Sequence, residues 1–438
     1  MCPRWFRRRS VACVTLLVSA CGAARPPSPD VQSLIDKLGS REPLQEVSSA
    51  SASAFDPADG IDLREAQVAA MVLHPTLRAA RASAAVYRAA VGASPGFQNP
   101  TLDVAVQGVL ESVPDPWKVS VGISFAIPLS NRLDAETQRF DALHQEALWG
   151  VVALERRHQR RVQKQWARWM GSIERARLLG DHGSALEAVH AIATRLTNAG
   201  EISPAGLALL DAQRRRVARD RADAEDDTVL AAMDLHRLIG VRPNAPVRFV
   251  PSWSLTPPEP TALAITALPT VRAAQAAAVV AAATVQEVST RTAPDLTIGP
   301  TFEHDRGQNA VGMALSTPLP LLDRQHRARA EAEAREVEAA VRLEGAIEEA
   351  EAGLASAHAA VKLAIARLER AAAVATDVDA LVERVKTLVR GGEVELWLVG
   401  EALSERLDAR LAELAARVAL AHAVAALSFY VKGPEGVQ

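Results

Sequence analysis

The sequence predicts a mainly helical protein built on two very long helices, with four short β-strands and an internal duplication. Three observations carry that prediction. First, the span from Asp323 to Gly392 holds no proline, and Ile347, Leu354, Val361, Leu368, Ala375, Val382 and Val389 recur in it every seven residues. Ala350, Ala357, Ala364, Ala371, Val378 and Val385 fill a second apolar row three positions on, which makes a coiled-coil seam. Second, Leu133 to Asn198 is another run without proline. Each run, as one helix over 324–390 or 133–198, is roughly 100 Å long at about 1.5 Å per residue. Third, the motifs around one run recur around the other at a nearly constant offset.

Composition agrees. The chain has 438 residues and only 4% aromatics, with Ala, Leu, Val, Arg and Glu abundant, which favours long helices over an all-β core. A net charge of −3 offers no basic footprint for nucleic acid.

Residues 1–20 read as a signal peptide, with Arg4, Arg7, Arg8 and Arg9 before the short apolar stretch Val11–Val18. It ends in Val18-Ser19-Ala20-Cys21, which resembles a bacterial lipobox, so Cys21 is the expected lipidation site, carrying palmitate-type acyl chains. An ordinary signal peptide cut near Ala24 is the alternative. Cleavage before Cys21 removes four arginines and no acids, taking the charge to −7, and leaves Cys21 as the sole cysteine. No later run of eighteen apolar residues exists to form a transmembrane helix.

Residues 21–60, rich in Pro, Ser and Ala, read as a tether. The first structural repeat spans 61–252. Asp62 and Glu65 form a capping box, and Pro75 sits in the first turn of the next helix, which Gly92–Gly96 end. A hairpin over 101–127 alternates cleanly. Leu102, Val104, Val106, Val119, Val121, Ile123, Phe125 and Ile127 share one face. Thr101, Asp103, Ala105, Gln107, Lys118, Ser120, Gly122, Ser124 and Ala126 share the other, with Pro114, Asp115 and Pro116 in the turn. The long helix 133–198 follows, Gly200 breaks it, and a return helix runs over 204–239.

The second repeat spans 253–433, with hairpin 295–317, long helix 324–390 and return helix 393–430. Leu268-Pro269-Thr270-Val271-Arg272 matches His74-Pro75-Thr76-Leu77-Arg78 at an offset of 194, and Gly392-Glu393-Val394 matches Gly200-Glu201-Ile202 at 192. Leu296, Ile298, Pro300, Phe302, Val311, Met313 and Leu315 repeat the apolar face.

Four strands cannot close a membrane barrel, since single-chain examples start at about eight. Several chains pooling strands would hide every edge and turn the apolar faces to lipid. The order of motifs also carries a resemblance. Asn99–Leu102, Pro128–Arg132, Gly200–Ser203, Leu209–Gln213 and Leu235–Gly240, most with a counterpart in the second repeat, resemble the TolC-type outer-membrane factor family over residues 61–433. The lipobox, the Asn-Pro-Thr-Leu strand and the Pro-Leu-x-x-Arg exit are most similar to its heavy-metal, CzcC-like lipoprotein branch. The resemblance implies a homotrimer with a twelve-stranded outer-membrane barrel and a periplasmic helical tunnel. It implies docking to a periplasmic adaptor that links an inner-membrane transporter, passive conduction of heavy-metal cations, and neither cofactor nor enzymatic activity. Drug efflux or type I secretion is the alternative cargo. A periplasmic coiled-coil adaptor is a further alternative, but one should carry a single helical hairpin.

The tips hold the candidate site residues. Gly200, Glu201, Gly391 and Gly392 mark the adaptor-docking ends, and Glu393, Glu395 and Glu401 are candidates for a gate, because a threefold axis would gather lumen-facing acids into a cation-attracting ring. No catalytic or metal-binding set emerges. Gly92-Ala93-Ser94-Pro95-Gly96 matches a nucleophile elbow in letters, but a helix precedes it and a strand follows, the reverse of what the elbow needs. Asp223–Asp227 lacks the glycine of a calcium loop, His304-Asp305 falls in a hairpin turn, and Trp166 and Trp169 read as packing between rods.

Mass spectrometry of the mature N-terminus should find acylated Cys21. An unmodified terminus at another residue would refute lipidation.

Overall fold

The computed structural model describes residues 30–39, 45, 47, 59–93, 96–108, 110, 116–243, 245, 247–257, 265–305, 307–319 and 325–430. The signal peptide, Cys21 and most of the tether lie outside the described residues. So do Ser94-Pro95, Pro114-Asp115, Asn244 and Pro246 of the proline-rich crossover Pro243–Pro260, its end with the residues that follow (258–264), the Pro320–Arg324 exit and 431–433. The chain divides into two units, Met1–Gln45 and Glu46–Gln438. In the first, helix α1 (Val31–Gly39) opens after Asp30, whose Oδ1 accepts from the Gln32 amide.

In the second unit, α2 (Leu63–Leu73) carries the complete capping box of Asp62 and Glu65. Helix α3 (Pro75–Gly92) starts on Pro75, whose missing N–H costs nothing in a first turn. Strands β1 (Thr101–Gly108) and β2 (Trp117–Pro128) lead into α4 (Arg132–Asn198), a 67-residue rod, and α5 (Pro204–Ile239) returns along it. The same order follows again. Helix α6 (Pro269–Thr290), β3 (Asp295–Asp305) and β4 (Gln308–Ser316) lead into the 65-residue rod α7 (His326–Arg390), and α8 (Trp397–Leu427) returns. The last helix is shorter at both ends than a 393–430 helix, because a turn over 393–396 separates it from Gly392.

The rods do not form one pair. Helices α6 and α8 each pack against both α4 and α7, so they lie between the rods at different heights, while α3 and α5 flank α4. Both heptad rows of α7 are buried or half-buried. Ala357, Val361 and Ala364 meet Leu420, Ala423, Val424 and Leu427 of α8, and Ala350 meets Leu268 and Val271 at the start of α6. Small alanines here let the helix axes close up.

Trp166 and Trp169 of α4 pack on the 243–257 stretch, and Trp166 also lines a gap with Ala421 and Val424 of α8. They meet Phe249 of the crossover edge-on, with centroids 5.8 and 5.5 Å away, and Trp166 Nε1 donates to Ser252 O at 2.9 Å. An indole needs a partner for its N–H when buried, and the crossover backbone supplies one. Beside this cluster, His74 and His158 stack at 3.9 Å, and His158 Nε2 lies 2.7 Å from Leu238 O. Burial, then the charges of His158 and Arg161, push His74 down to about 4. Burial also lowers His158, His182, His236 and His422.

These histidines are neutral when folded, so below about pH 6.5 the unfolded chain takes up protons that the folded chain does not. Stability should be full above about pH 6.5 and fall toward about pH 4, where His74 also protonates in the folded state. Urea midpoints across that window check the slope, and a midpoint steady down to about pH 5 would contradict it.

Candidate functional site: an inside-out sheet and a two-turn tip

The four strands form one antiparallel sheet in the order β1-β2-β3-β4. Its register sets like against like. Leu102, Val104 and Val106 oppose Ile123, Val121 and Val119. Val121, Phe125 and Ile127 oppose Phe302, Ile298 and Leu296, and Ile298, Pro300 and Phe302 oppose Leu315, Met313 and Val311. One apolar face therefore runs unbroken across all four strands. The other face carries Thr101, Asp103, Ser120, Ser124, Thr301 and Glu303, with Lys118 paired to Glu303 and lying 3.8 Å from Asp305.

In β2 the burial is the reverse of a water-soluble sheet, while β1 and β4 are exposed on both faces. Along β2, Val121, Ile123, Phe125 and Ile127 are exposed while Ser120, Gly122, Ser124 and Ala126 are half-buried. At the outer strands Leu102 is 61% exposed and Val311 83%. A continuous apolar surface of this kind marks a membrane or partner contact. The outer edges of β1 and β4 are left without a neighbouring strand among the described residues.

Proline inside a central strand needs a gap in the ladder, and β3 provides it. Pairing of β2 with β3 lapses opposite Ile123 and Ser124, where Gly299 and Pro300 stand. A Cβ on Gly299 would lie 1.9 Å from Ile123 O, so the two backbones approach as only glycine permits.

At the far end of the rods the two tips share one geometry. Gly200 has φ +76° and Gly392 φ +74°. The Glu201 amide donates to Leu196 O at 2.9 Å, and the Glu393 amide to Leu388 O at 3.0 Å, the six-to-one bond of a Schellman stop. Gly391 keeps right-handed helical angles as the cap residue. The tips are joined. Leu186, Val189 and Leu210 from the first meet Val382, Val399 and Leu403 from the second in one apolar cluster. Gly200, Glu201, Gly391, Gly392 and Glu393 are all exposed.

The three candidate gate acids differ in setting. Glu393 is exposed just beyond the stop. Glu395 accepts from Trp397 Nε1 at 2.7 Å. Glu401 lies on α8 and accepts from Gln213 Nε2 of α5 at 2.7 Å, so it also ties the return helices together. Among the described residues no group of three or more metal-ligating side chains converges.

Two features escaped the sequence reading. Glu287 of α6 is buried and held between Arg139 of α4 at 2.6 Å and Arg291 at 2.5 Å. The His74–His158 stack was also missed. Its one sequence signal is that His74 stands where the second repeat has the fully buried Leu268.

No family model and no curated protein sequence matches the chain. Solved structures do. CusC, studied for its folding and transmembrane channel formation, aligns at a TM-score of 0.74 and 16% identity over 88% of this chain and 96% of its own. The outer membrane protein VceC of Vibrio cholerae aligns at 0.71 and 17% over 85% and 97%. The CmeC outer membrane channel of Campylobacter jejuni aligns at 0.71 and 15% over 93% of each chain. Over nearly its whole length, therefore, this chain has the fold of outer-membrane channel proteins.

Proposed function

We propose that the chain is the exit duct of a tripartite efflux system, a passive channel in the outer membrane that continues into a periplasmic helical tunnel. The observation that carries this reading is the inverted sheet, whose apolar face runs across all four strands and is bare along β2, where the small polar side is the half-buried one. Only a closed barrel satisfies strand backbones in hydrocarbon, so the free edges of β1 and β4 call for more copies. Three copies close a twelve-stranded barrel.

The flanks of the helical body support head-to-tail closure. All the charged residues of α3 are arginines, and Arg78 and Arg88 have no ion pair among the described residues. On the opposite flank, α7 exposes Val337 and Val341 with the acids Glu336, Glu344 and Glu348, unpaired among the described residues. Unlike charges on the two flanks suit a ring in which α7 of one copy meets α3 of the next.

In this reading the joined tips dock a periplasmic adaptor, which couples the duct to an inner-membrane transporter, and Cys21 anchors the chain by acyl lipid. Glu393, Glu395 and Glu401 form the gate. The cargo is heavy-metal cations, an assignment that rests on the motifs Asn99–Leu102 and Pro128–Arg132. Neither nucleic acid nor a cofactor enters this reading.

Val121→Arg, on the bare apolar face, should cost about 2–4 kcal/mol near a bilayer midplane and deplete membrane-assembled trimers. Ser120→Arg, on the sheltered face, should be tolerated. Trimer yield in detergent after membrane extraction separates them, and equal yields or a detergent-free wild-type monomer would overturn the barrel.

The gate has its own test. Glu393→Ala, Glu395→Ala and Glu401→Gln together remove three charges while keeping an acceptor for Gln213. In planar bilayers under a KCl gradient, the triple variant should lose cation preference. An unchanged reversal potential would leave these acids as surface charges. Gly392→Val should abolish efflux in cells yet leave trimers intact, and surviving efflux would refute the docking assignment.

A further inference from the structure

Helix α1 is finished locally and left bare on one side. Asp30 Oδ1 accepts from the Gln32 amide at 3.1 Å, Ser33 Oγ donates to Asp30 O at 2.9 Å, and Gln32 Nε2 donates to Asp36 Oδ1 at 3.2 Å. Val31, Leu34, Ile35 and Leu38 stand at i, i+3, i+4 and i+7, the spacing of one helix face. Gln32, Ser33, Asp36 and Lys37 take the other face. All four apolar side chains are exposed, Val31 the most at 68% and Leu34 the least at 47%.

A helix of nine residues is marginal in water by itself, because few hydrogen bonds offset the cost of nucleation. Its apolar face therefore needs a cover. That face is roughly 14 Å long at about 1.5 Å per residue, too little to supply the roughly 1,200 Å² that a stable protein interface buries. A lipid surface sets no such threshold when the chain is already tethered to it. Association is then intramolecular, and a short apolar face suffices.

Position along the chain selects lipid. Nine residues, 22–30, separate α1 from Cys21, the expected acyl site. Even fully extended, that link spans no more than roughly 35 Å. Acyl chains on Cys21 thus keep α1 within reach of the bilayer surface. Charge selects the kind of lipid. Asp30, Asp36 and Lys37 give the helix no basic side, so nothing draws it to anionic headgroups and a zwitterionic surface is the one it fits.

We propose that α1 is an interfacial helix, lying in the plane of the outer membrane's periplasmic surface with Val31, Leu34, Ile35 and Leu38 sunk among zwitterionic lipids. It is a second attachment beside the acyl chains, and two such signals hold where one acyl chain binds only reversibly. The inference rests on the outer-membrane anchor proposed above.

Fluorescence quenching on the full chain tests it. With Cys21 acylated, the mature chain has no other thiol, so Leu34→Cys and, separately, Ser33→Cys each take one fluorophore. The labelled trimers are reconstituted in phosphatidylcholine vesicles, with acylation read by mass spectrometry on the same samples. The Leu34 probe should resist aqueous iodide and lose most of its emission when the lipid chains are brominated. The Ser33 probe, on the opposite face, should be quenched by iodide and little affected by bromine. Leu38→Cys and Asp36→Cys give a second pair of the same orientation if a label at Leu34 unfolds the helix. Acylated trimers whose Leu34 and Leu38 probes are open to iodide would overturn the inference and leave the anchor standing. Probes shielded from iodide yet untouched by brominated lipid would mean a protein cover, and equal quenching on both faces would mean no interfacial orientation; either would also overturn it. An unacylated Cys21 would overturn the anchor and this inference together.

Discussion

The structure depends on how closely its helices can lie. Two rods, each roughly 100 Å long, would separate along their length if bulky side chains filled the seams. Alanine instead occupies much of the facing surface of α7, at Ala350, Ala357 and Ala364, with leucines of the partners filling the gaps. At the tip Gly400 plays the same part, since a Cβ there would lie 2.7 Å from Leu210 and 2.8 Å from Gln213. Close seams hold the hairpins α4–α5 and α7–α8 parallel, and that alignment brings two stops of identical geometry to one end.

The opposite end reverses the usual rule. In water a sheet hides its apolar face against another layer. Here the strands pack chiefly on one another, and the apolar side chains point away from the protein. A face like this left open to water promotes aggregation, a conflict that the proposed burial in lipid would remove. The lapse at Gly299–Pro300 leaves room for a proline within a central strand. The helical body and the sheet are thus shaped by separate constraints, joined at the strand exits, where Arg132 lies 3.3 Å from Asp295 and Glu287 clamps α6 to α4.

Charge is distributed with the same division. Many ion pairs on the rods are exposed neighbours on one helix, such as Arg329–Glu333 and Arg335–Glu331, and contribute little individually. Between helices the pairs are fewer, and the most sheltered joins Arg139 of α4 to Glu287 of α6, whose side chain is only 5% exposed. Arg410 of α8 likewise reaches Asp379 of α7. Such contacts fix which helix faces which, a matter the apolar seam alone leaves open.

The sequence by itself determined everything that a local period can encode. Alternation at period two fixed the faces of all four strands, because a shift of one residue would turn every side chain over. The seven-residue repeat fixed the buried stripe of α7, and Gly200 and Gly392 marked the helix stops through the left-handed angles that glycine tolerates. Tertiary structure alone decided the partners. A heptad row states that a helix has a partner but not which one, so the placing of α6 and α8 between the rods could not be read from it. Nor could the part that Phe249 and Ser252 of the crossover play in covering Trp166 and Trp169. The cavity between α4, α7 and α8 is lined by residues as far apart as Glu174 and Arg417, and no periodicity spans that distance. It exists only because three helices with separately encoded stripes converge there.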